Sequence, residues 1–535
     1  MILYTVIIIF LTVIAVVRTV TYVSFCMRAS INMHNQMFNR FIKATMFFFN
    51  TKSSGDMLNR FSKDIGAVDE YLPYIIFDCL QLVMLLLGII LIIGFVNIYL
   101  MAPTFIVVVV FYNIRVFNLP TSRGIKRLEG ITRSPVFAHM KETLQGLTTI
   151  RAYKVEQILI NEFDKHQDLH SSAWDMFICA NQAFGFWLDI VSIIYIGIVI
   201  FSFFAVENDH YGGIIGLTIT QTIRLTAIIQ WGVRQLSVLE NQMTSVERIL
   251  EYTHLPQEAD FQSSSENTPP KGWPFLGKIE FRNFSLRYSL DSPYVLKNLN
   301  IQIQPLEKVG IVGRTGAGKS SIIGAIFRFA LNEGSIIIDD IEIHKLGLHD
   351  LRSKFSIIPQ EPVLFSGTMR TNLDPFDEYS DLVLWNALDE VELKTVVENL
   401  PGGLNSRMSA FGSNFSVGQR QLVCLARAIV RNNKIIILDE ATANVDPQTD
   451  MLIQNTIRNK FKLCTVLTIA HRLNTIMDSE RVLVMDAGTV VEFDHPYNLL
   501  KNKDGFLYKM VEQTGIATSE FLRSIASKSF NVQTK

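Results

Sequence analysis

The sequence is poor in charge and lacks paired cysteines. Only 19% of its 535 residues are charged, and 49 basic against 50 acidic side chains leave a net charge of −1. No global field therefore draws the chain to a polyanion, and nucleic acid is not expected as a partner. The five cysteines, Cys26, Cys79, Cys179, Cys424 and Cys464, form no Cys-x-x-Cys pair and join no His/Cys cluster at zinc spacing. Neither a disulfide framework nor a structural zinc is implied.

Apolar residues are abundant instead, 49% of the total, with a mean hydropathy of +0.25. A wholly soluble protein rarely scores so high. Residues 2–17 are uncharged and mostly apolar, and the character continues beyond Arg18 to Met27, enough to cross a hydrocarbon core of roughly 30 Å. A basic n-region and a clear cleavage site before Arg18 are both missing, so this stretch reads as a spanning helix and not as a signal peptide. Four more stretches, near 74–95, 98–117, 184–206 and 213–232, have similar length, which predicts five passes.

Lysine and arginine orient them. Arg28, Arg40, Lys43, Lys52, Arg60 and Lys63 lie between the first two stretches, and Arg123, Lys126, Arg127 and Arg133 between the third and fourth. Both loops are expected in the cytosol, whereas the turns 96–99 and 207–212 have no lysine or arginine and are expected outside. Few helix breakers follow Pro135, and charge alternates along 123–170, so the long loops read as spanning helices continued into the cytosol. The membrane part is expected at 1–253, a proline-rich linker at 254–274, a soluble α/β domain at 275–515 and a loosely ordered, serine-bearing tail at 516–535.

The soluble domain carries the chemistry. Gly313-Arg314-Thr315-Gly316-Ala317-Gly318-Lys319-Ser320 fits the G-x-x-x-x-G-K-[ST] phosphate loop without a mismatch, between an apolar strand at 309–312 and a helical run at 321–329. Such a loop turns backbone N–H groups onto phosphate oxygens. Lys319 is expected to neutralise the β- and γ-phosphates of ATP and Ser320 to ligate Mg²⁺. A second apolar strand, Ile435 to Leu438, ends in Asp439 and Glu440; Asp439 is assigned to the magnesium and Glu440 to the general base.

Between these motifs, Phe415-Ser416-Val417-Gly418-Gln419, followed by Arg420 and Gln421, resembles the signature of ATP-binding cassette (ABC) proteins. A serine and glycine at a helix start offer a hydroxyl and open N–H groups to a phosphate. The resemblance implies that Ser416, Val417, Gly418 and Gln419 face the ATP of an opposite nucleotide domain. It also implies that Tyr288 stacks on adenine, that Gln360 senses metal and γ-phosphate, that Asp446 is the D-loop aspartate and that His471 is the switch histidine. Ser321 completes the ATP-holding set.

The membrane half extends the likeness. Gly55 to Asp64, Thr132 to Phe137 and Thr149 to Tyr153 resemble subfamily C, the multidrug resistance-associated proteins, in their C-terminal half. The fold this implies is an α-helical transmembrane bundle of the type IV exporter kind, joined to an α/β nucleotide-binding domain with an α-helical signature subdomain. Segments near 55–65 and 132–142 are expected to couple the two.

Three departures qualify the likeness. The chain starts within what would be the second helix of the second membrane domain, so it is expected to be a fragment whose partner half is a missing N-terminal part or another subunit. Gln182 and Trp187 stand where the family commonly has arginines facing organic anions, and Phe415 replaces the usual signature leucine. Arg224, Trp231 and Arg234 nevertheless fall on one face of a helix, their directions differing by about 20° and 60°, and form an expected path for small amphipathic anions. The expected function is ATP-driven export across a lipid bilayer, with the plasma membrane as the expected site. An ATP-gated channel or channel regulator of the same subfamily, and an inactive truncated product, are the alternatives.

Overall fold

Long apolar runs with few interruptions fold into long helices. In the computed structural model, which describes residues 1–533 apart from 97, 206–211, 440–444 and 471, these are α1 (Ile2–Ile42), α2 (Met46–Thr51), α3 (Ser54–Asn59), α4 (Leu72–Val96), α5 (Met101–Gln145), α6 (Leu147–Tyr153), α7 (Glu156–Ala205) and α8 (Gly212–Thr253). Two π-helical turns, Arg60–Asp64 and Ala67–Tyr71, connect α3 to α4. Among the described residues, five helical stretches are long and apolar enough to cross a membrane.

The chain divides into two units, residues 1–42 with 54–255, and residues 43–53 with 256–535. In the first, α1 has 41 residues and α7 has 50, about 60 and 75 Å at 1.5 Å per residue. Both exceed the bilayer core twofold or more, as the charged continuations of the apolar stretches lead one to expect. The core between α4, α5, α7 and α8 holds Ile93, Phe111, Leu188, Tyr195 and Leu225, and the Tyr195 hydroxyl is 2.7 Å from Thr104 Oγ1. Among the described residues only Met37 of α1 is buried, so its apolar surface requires a non-aqueous neighbour. α5 runs unbroken through Pro120 and Pro135. Each proline deletes one backbone donor, and packing along α7 keeps the helix going.

The segments expected to couple the two parts sit within or beside long helices. Residues 55–65 lie in α3 and the first π-turn, and 132–142 lie inside α5, whereas the short helices at the hairpin tips are α2 and α6. Residues 43–53, including α2, belong to the second unit.

That unit contains the strands β1 (Ile279–Arg287), β2 (Leu296–Ile303), β3 (Lys308–Gly313), β4 (Leu331–Ile338), β5 (Ile341–Glu342), β6 (Phe355–Ile358), β7 (Gly367–Thr368), β8 (Arg407–Met408), β9 (Ile435–Asp439), β10 (Thr465–Ile469), β11 (Arg481–Asp486) and β12 (Thr489–Asp494). One sheet has the order β2-β1-β4-β5 and a second β12-β11-β3-β10-β9-β6, in which only the β11–β12 pairing is antiparallel. β3 and β9 read as continuous apolar runs because parallel strands are covered on both faces. Helices α9 (Lys319–Ile326), α10 (Val417–Arg431), α11 (Pro447–Lys460) and α12 (Ile516–Gln533) complete the frame.

One core lies between the sheets and α9 and includes Phe281, Ile311, Ile322 and Phe355. A second, mostly helical, includes Leu388, Phe415, Leu425 and Ile457. Burying each such side chain contributes about 1.5–3 kcal/mol. The segment read as a loose tail is the 18-residue helix α12. Leu522 and Ala526 are buried, and Phe530 stacks on Tyr497 with ring centroids 4.7 Å apart. An i, i+4, i+8 stripe is enough to dock a serine-rich helix.

Candidate functional site

Four neighbouring parallel strands end together. Across β3, β10, β9 and β6, the residues Gly310, Thr468, Leu438 and Ile358 are in register. The loop Gly313–Ser320 leaves β3, Ala470 follows β10, Asp439 closes β9, and Pro359 and Gln360 follow β6. The carboxyl edge of an open parallel sheet is where ligands gather, and these loops hold most of the expected site.

The phosphate loop is shaped by its glycines. A Cβ on Gly313 would lie 2.3 Å from Met485 O, and Gly318 has φ +98° with Leu296 Cδ2 2.9 Å from a Cβ position. Neither position accepts a side chain without rearrangement. At Gly316, φ +83°, nothing lies within 4 Å of such a Cβ, which leaves open space beside the loop backbone. Lys319 is buried, and its Nζ donates to Gly313 O at 2.9 Å and Arg314 O at 3.4 Å. Ala317 is buried, whereas Arg314, Thr315 and Ser320 are exposed. A glycine cradle, an ammonium group and an exposed hydroxyl suit a polyphosphate and its counter-ion.

Tyr288 is half-buried, and its hydroxyl is 2.9 Å from Ser321 Oγ. The phenol is thereby attached to the first turn of α9, and the Ser321 hydroxyl serves it. Asp439 is half-buried and Gln360 exposed. Glu440 and His471 lie outside the described residues, as do 441–444 between Glu440 and Val445.

Ser416 begins α10. Its Oγ accepts from Gln419 N at 3.1 Å while Gln419 Oε1 accepts from Ser416 N at 3.0 Å, a reciprocal capping box. Phe415, which precedes Ser416, is buried in the helical core. Two residues after Ser416, a Cβ on Gly418 would be 3.2 Å from Thr449 Cγ2, 3.4 Å from Val445 Cγ1 and 3.5 Å from Asp446 Oδ1, so the start of α10 and the segment leading into α11 touch. Asp446 caps α11, accepting from Thr449 N and Thr449 Oγ1, each at 2.9 Å. The Thr449 amide, and then its hydroxyl, hold the Asp446 carboxyl below the usual range.

The structure adds residues whose importance was not evident from the sequence. Buried Gln421 donates from Nε2 to Pro359 O at 3.0 Å. Arg427 donates to Asn372 O at 2.6 Å, Asn372 Oδ1 at 2.7 Å and Val363 O at 2.9 Å. Helix α10 thus holds the loop that starts at Gln360. Gln421 stood beside the signature and carried a weak signal; Arg427 and Asn372 are 55 residues apart and carried none.

In the first unit, Leu225, Ile229 and Val233 of α8 face the core, whereas Arg224, Trp231 and Arg234 are exposed. Arg234 and Gln182 line one cavity of about 320 Å³, which Trp231 and Arg224 do not. Arg123, Lys126 and Glu240 share it. Glu240 accepts from Arg115 at 2.8 Å and Arg123 at 3.2 Å, and Lys126 Nζ is 4.9 Å from the Phe177 ring centre. Cationic and aromatic groups therefore meet at the end of the apolar bundle.

Comparison with known proteins agrees with both units. Residues 1–225 match the family described as ABC transporter transmembrane region, and residues 296–443 match the family ABC transporter. The chain is 54% identical over 506 residues to a Drosophila melanogaster protein named "Probable multidrug resistance-associated protein lethal(2)03659", covering 94% of this chain and 37% of that one. It is 51% and 50% identical over 500 residues to the mouse and human proteins named ATP-binding cassette sub-family C member 4, covering 94% of this chain and 38% of each. The chain spans a little under two fifths of the length of these relatives. With apolar spanning helices, a glycine loop and a helix capped by Ser416 in one polypeptide, this multi-pass membrane protein belongs to subfamily C of the ABC transporters, the multidrug resistance-associated proteins.

Proposed function

We propose that this chain supplies one membrane domain and one nucleotide domain of an ATP-driven exporter of amphipathic organic anions in the plasma membrane. The observation that supports this most is the Lys319 ammonium folded onto the carbonyls of Gly313 and Arg314, at the sheet edge where Asp439 also sits. On this reading Tyr288 receives the adenine, and the backbone from Gly313 through Ser321, with Arg314, Thr315 and Gly316 at its exposed side and Ala317 buried beneath, receives the phosphates. Ser320, Gln360 and Asp439 would hold magnesium, which when bound neutralises charge on the phosphate oxygens.

Glu440 accepts the proton of the attacking water while the water oxygen bonds to the γ-phosphorus and the bond to the bridging oxygen breaks. His471 donates to the γ-phosphate. Ser416, Val417, Gly418 and Gln419 face the ATP of a second nucleotide domain, in the same polypeptide or another subunit, and Asp446 fixes the start of α11 beside them. Closure around two ATP molecules drives the membrane helices outward, and hydrolysis resets them. Arg224, Trp231 and Arg234 contact the anion.

Two substitutions test this reading in the assembled transporter. Glu440→Gln is expected to bind ATP and to hydrolyse it about a hundredfold more slowly, and near-normal turnover would refute the base. Trp231→Ala is expected to lower vesicular uptake of a conjugated organic anion while ATP binding persists; unchanged uptake would remove Trp231 from the path.

A further inference from the structure

Residues 256–263, within the segment read as a linker, form a strap inside the second unit. On one side the strap meets the hairpin tip: Thr45 N donates to Pro256 O at 3.2 Å, Glu258 N donates to Lys43 O at 2.9 Å, and Ala44 bridges Gln257 in antiparallel fashion. On the other it meets residues 347–352. Leu348 N donates to Asp260 O at 3.0 Å and His349 N to Phe261 O at 2.8 Å. Phe261 stacks on His349 at 4.8 Å, and Arg352 holds both carboxylate oxygens of Glu258, at 2.7 and 2.9 Å. A Cβ on Gly347 would lie 2.3 Å from Ser263 N, so the strap lies directly on that backbone.

Ser263 latches the end of the strap. Its hydroxyl donates to Asp350 Oδ2 at 2.5 Å and accepts from Gly347 N at 2.8 Å, and its amide donates to the same Asp350 oxygen at 3.1 Å. An ionised carboxylate only accepts, so the Ser263 hydroxyl proton is what allows oxygen to sit against oxygen. Ser263 is half-buried, whereas Ser264, Ser265 and Glu266 are exposed. Glu266, three residues beyond Ser263, occupies the acidic position that acidophilic serine kinases read.

We propose that Ser263 is a phosphorylation site for an acidophilic serine kinase, and that its modification releases the strap from residues 347–350. In the transfer the Ser263 oxygen bonds to the γ-phosphorus of the kinase's ATP as the bond to the β,γ-bridging oxygen breaks. ADP leaves, and the hydroxyl proton passes to the kinase's base. The product carries about −1.5 to −2 charge and no hydroxyl proton. Asp350 thereby loses a hydrogen bond and gains a like-charged neighbour, while Arg352 remains engaged by Glu258. The carbonyls of Asp260 and Phe261 then leave the amides of Leu348 and His349.

The test uses the full chain in nanodiscs, treated with casein kinase 2 and ATP and then desalted free of nucleotide. Fragmentation mass spectrometry is expected to place phosphate on Ser263, and amide exchange at Leu348 and His349 is expected to quicken about tenfold. Ser263→Ala removes that phosphate, and Asp350→Asn removes most of the acceleration caused by phosphate. Ser265→Ala, changing an exposed neighbour, leaves both intact. No phosphate on Ser263, phosphate confined to Ser264 or Ser265, or Ser263 phosphate with unaltered exchange each overturns the proposal.

Discussion

Gln421, buried on the helix that Ser416 starts, donates from Nε2 to the main-chain oxygen of Pro359 at 3.0 Å. This bond joins the signature helix to the residue before Gln360, so a movement of either is felt by the other. Gln421→Met keeps the length of the side chain and removes the donor. It is expected to cost about 0.5–1.5 kcal/mol of unfolding free energy, the net worth of a hydrogen bond to the half-buried Pro359 carbonyl. Urea unfolding of the chain checks it. Unchanged stability would mean that Pro359 O finds another donor.

Gly418 tests the contact between the signature helix and the D-loop segment. Alanine at a helix position would ordinarily add about 1 kcal/mol of stability. Here its Cβ meets Thr449 at 3.2 Å and Val445 at 3.4 Å, so the neighbours must yield. Gly418→Ala is expected to lower ATP turnover of the assembled transporter about tenfold, a loss of about 1.4 kcal/mol in transition-state stabilisation, with little change in ATP affinity. A weaker affinity with unchanged turnover would contradict it.

Gly313→Ala acts on the loop itself. The added carbon would collide with backbone, Met485 O at 2.3 Å, which cannot move as a side-chain end can. A cost of about 1–3 kcal/mol is expected from the overpacking, with ATP binding lost. Thermal unfolding with and without ATP separates the two effects: the variant should melt lower and gain nothing from the nucleotide.

His344 gives the second unit an acid-sensitive contribution to stability. Burial, and then the nearby Arg328, push its imidazolium pKa below the ordinary 6.5. The unfolded chain therefore takes a proton that the folded one refuses. Stability is expected to fall as pH drops below about 6.5, until the lower folded value is crossed. Replacing it by glutamine should flatten unfolding free energy against pH in that window, and an unchanged slope would show that other groups set it.

The parts legible from the sequence were those whose chemistry is contiguous. Eight residues make the phosphate loop, and the apolar runs ending at Val312 and Leu438 mark strands that the structure places parallel in one sheet. Ser416 and Gln419 have the spacing of a capping box, and they form one. The spanning helices followed from length and hydropathy.

What escaped depends on distant partners. Ser263 and Asp350 are 87 residues apart, and Arg427 and Asn372 are 55 apart, so no local pattern pairs them. The docked helix α12 was obscured by its serines, although Leu522, Ala526 and Phe530 recur every fourth residue. The short helices α2 and α6 at the hairpin tips carried no sequence signal of their own, because π-turns and prolines, ordinarily helix interruptions, are carried within longer helices.

The central claim is that nucleotide bound at the Gly313–Ser320 loop powers solute movement. Inside-out vesicles carrying the assembled transporter, with a radiolabelled conjugated anion, test it most directly when wild type is compared with Lys319→Ala. Wild type should accumulate the anion only with hydrolysable ATP, and Lys319→Ala should lose about a hundredfold in initial rate, the scale of removing a charge that stabilises the transition state. Accumulation that persists without ATP, or is equal in the Lys319→Ala vesicles, would contradict the account.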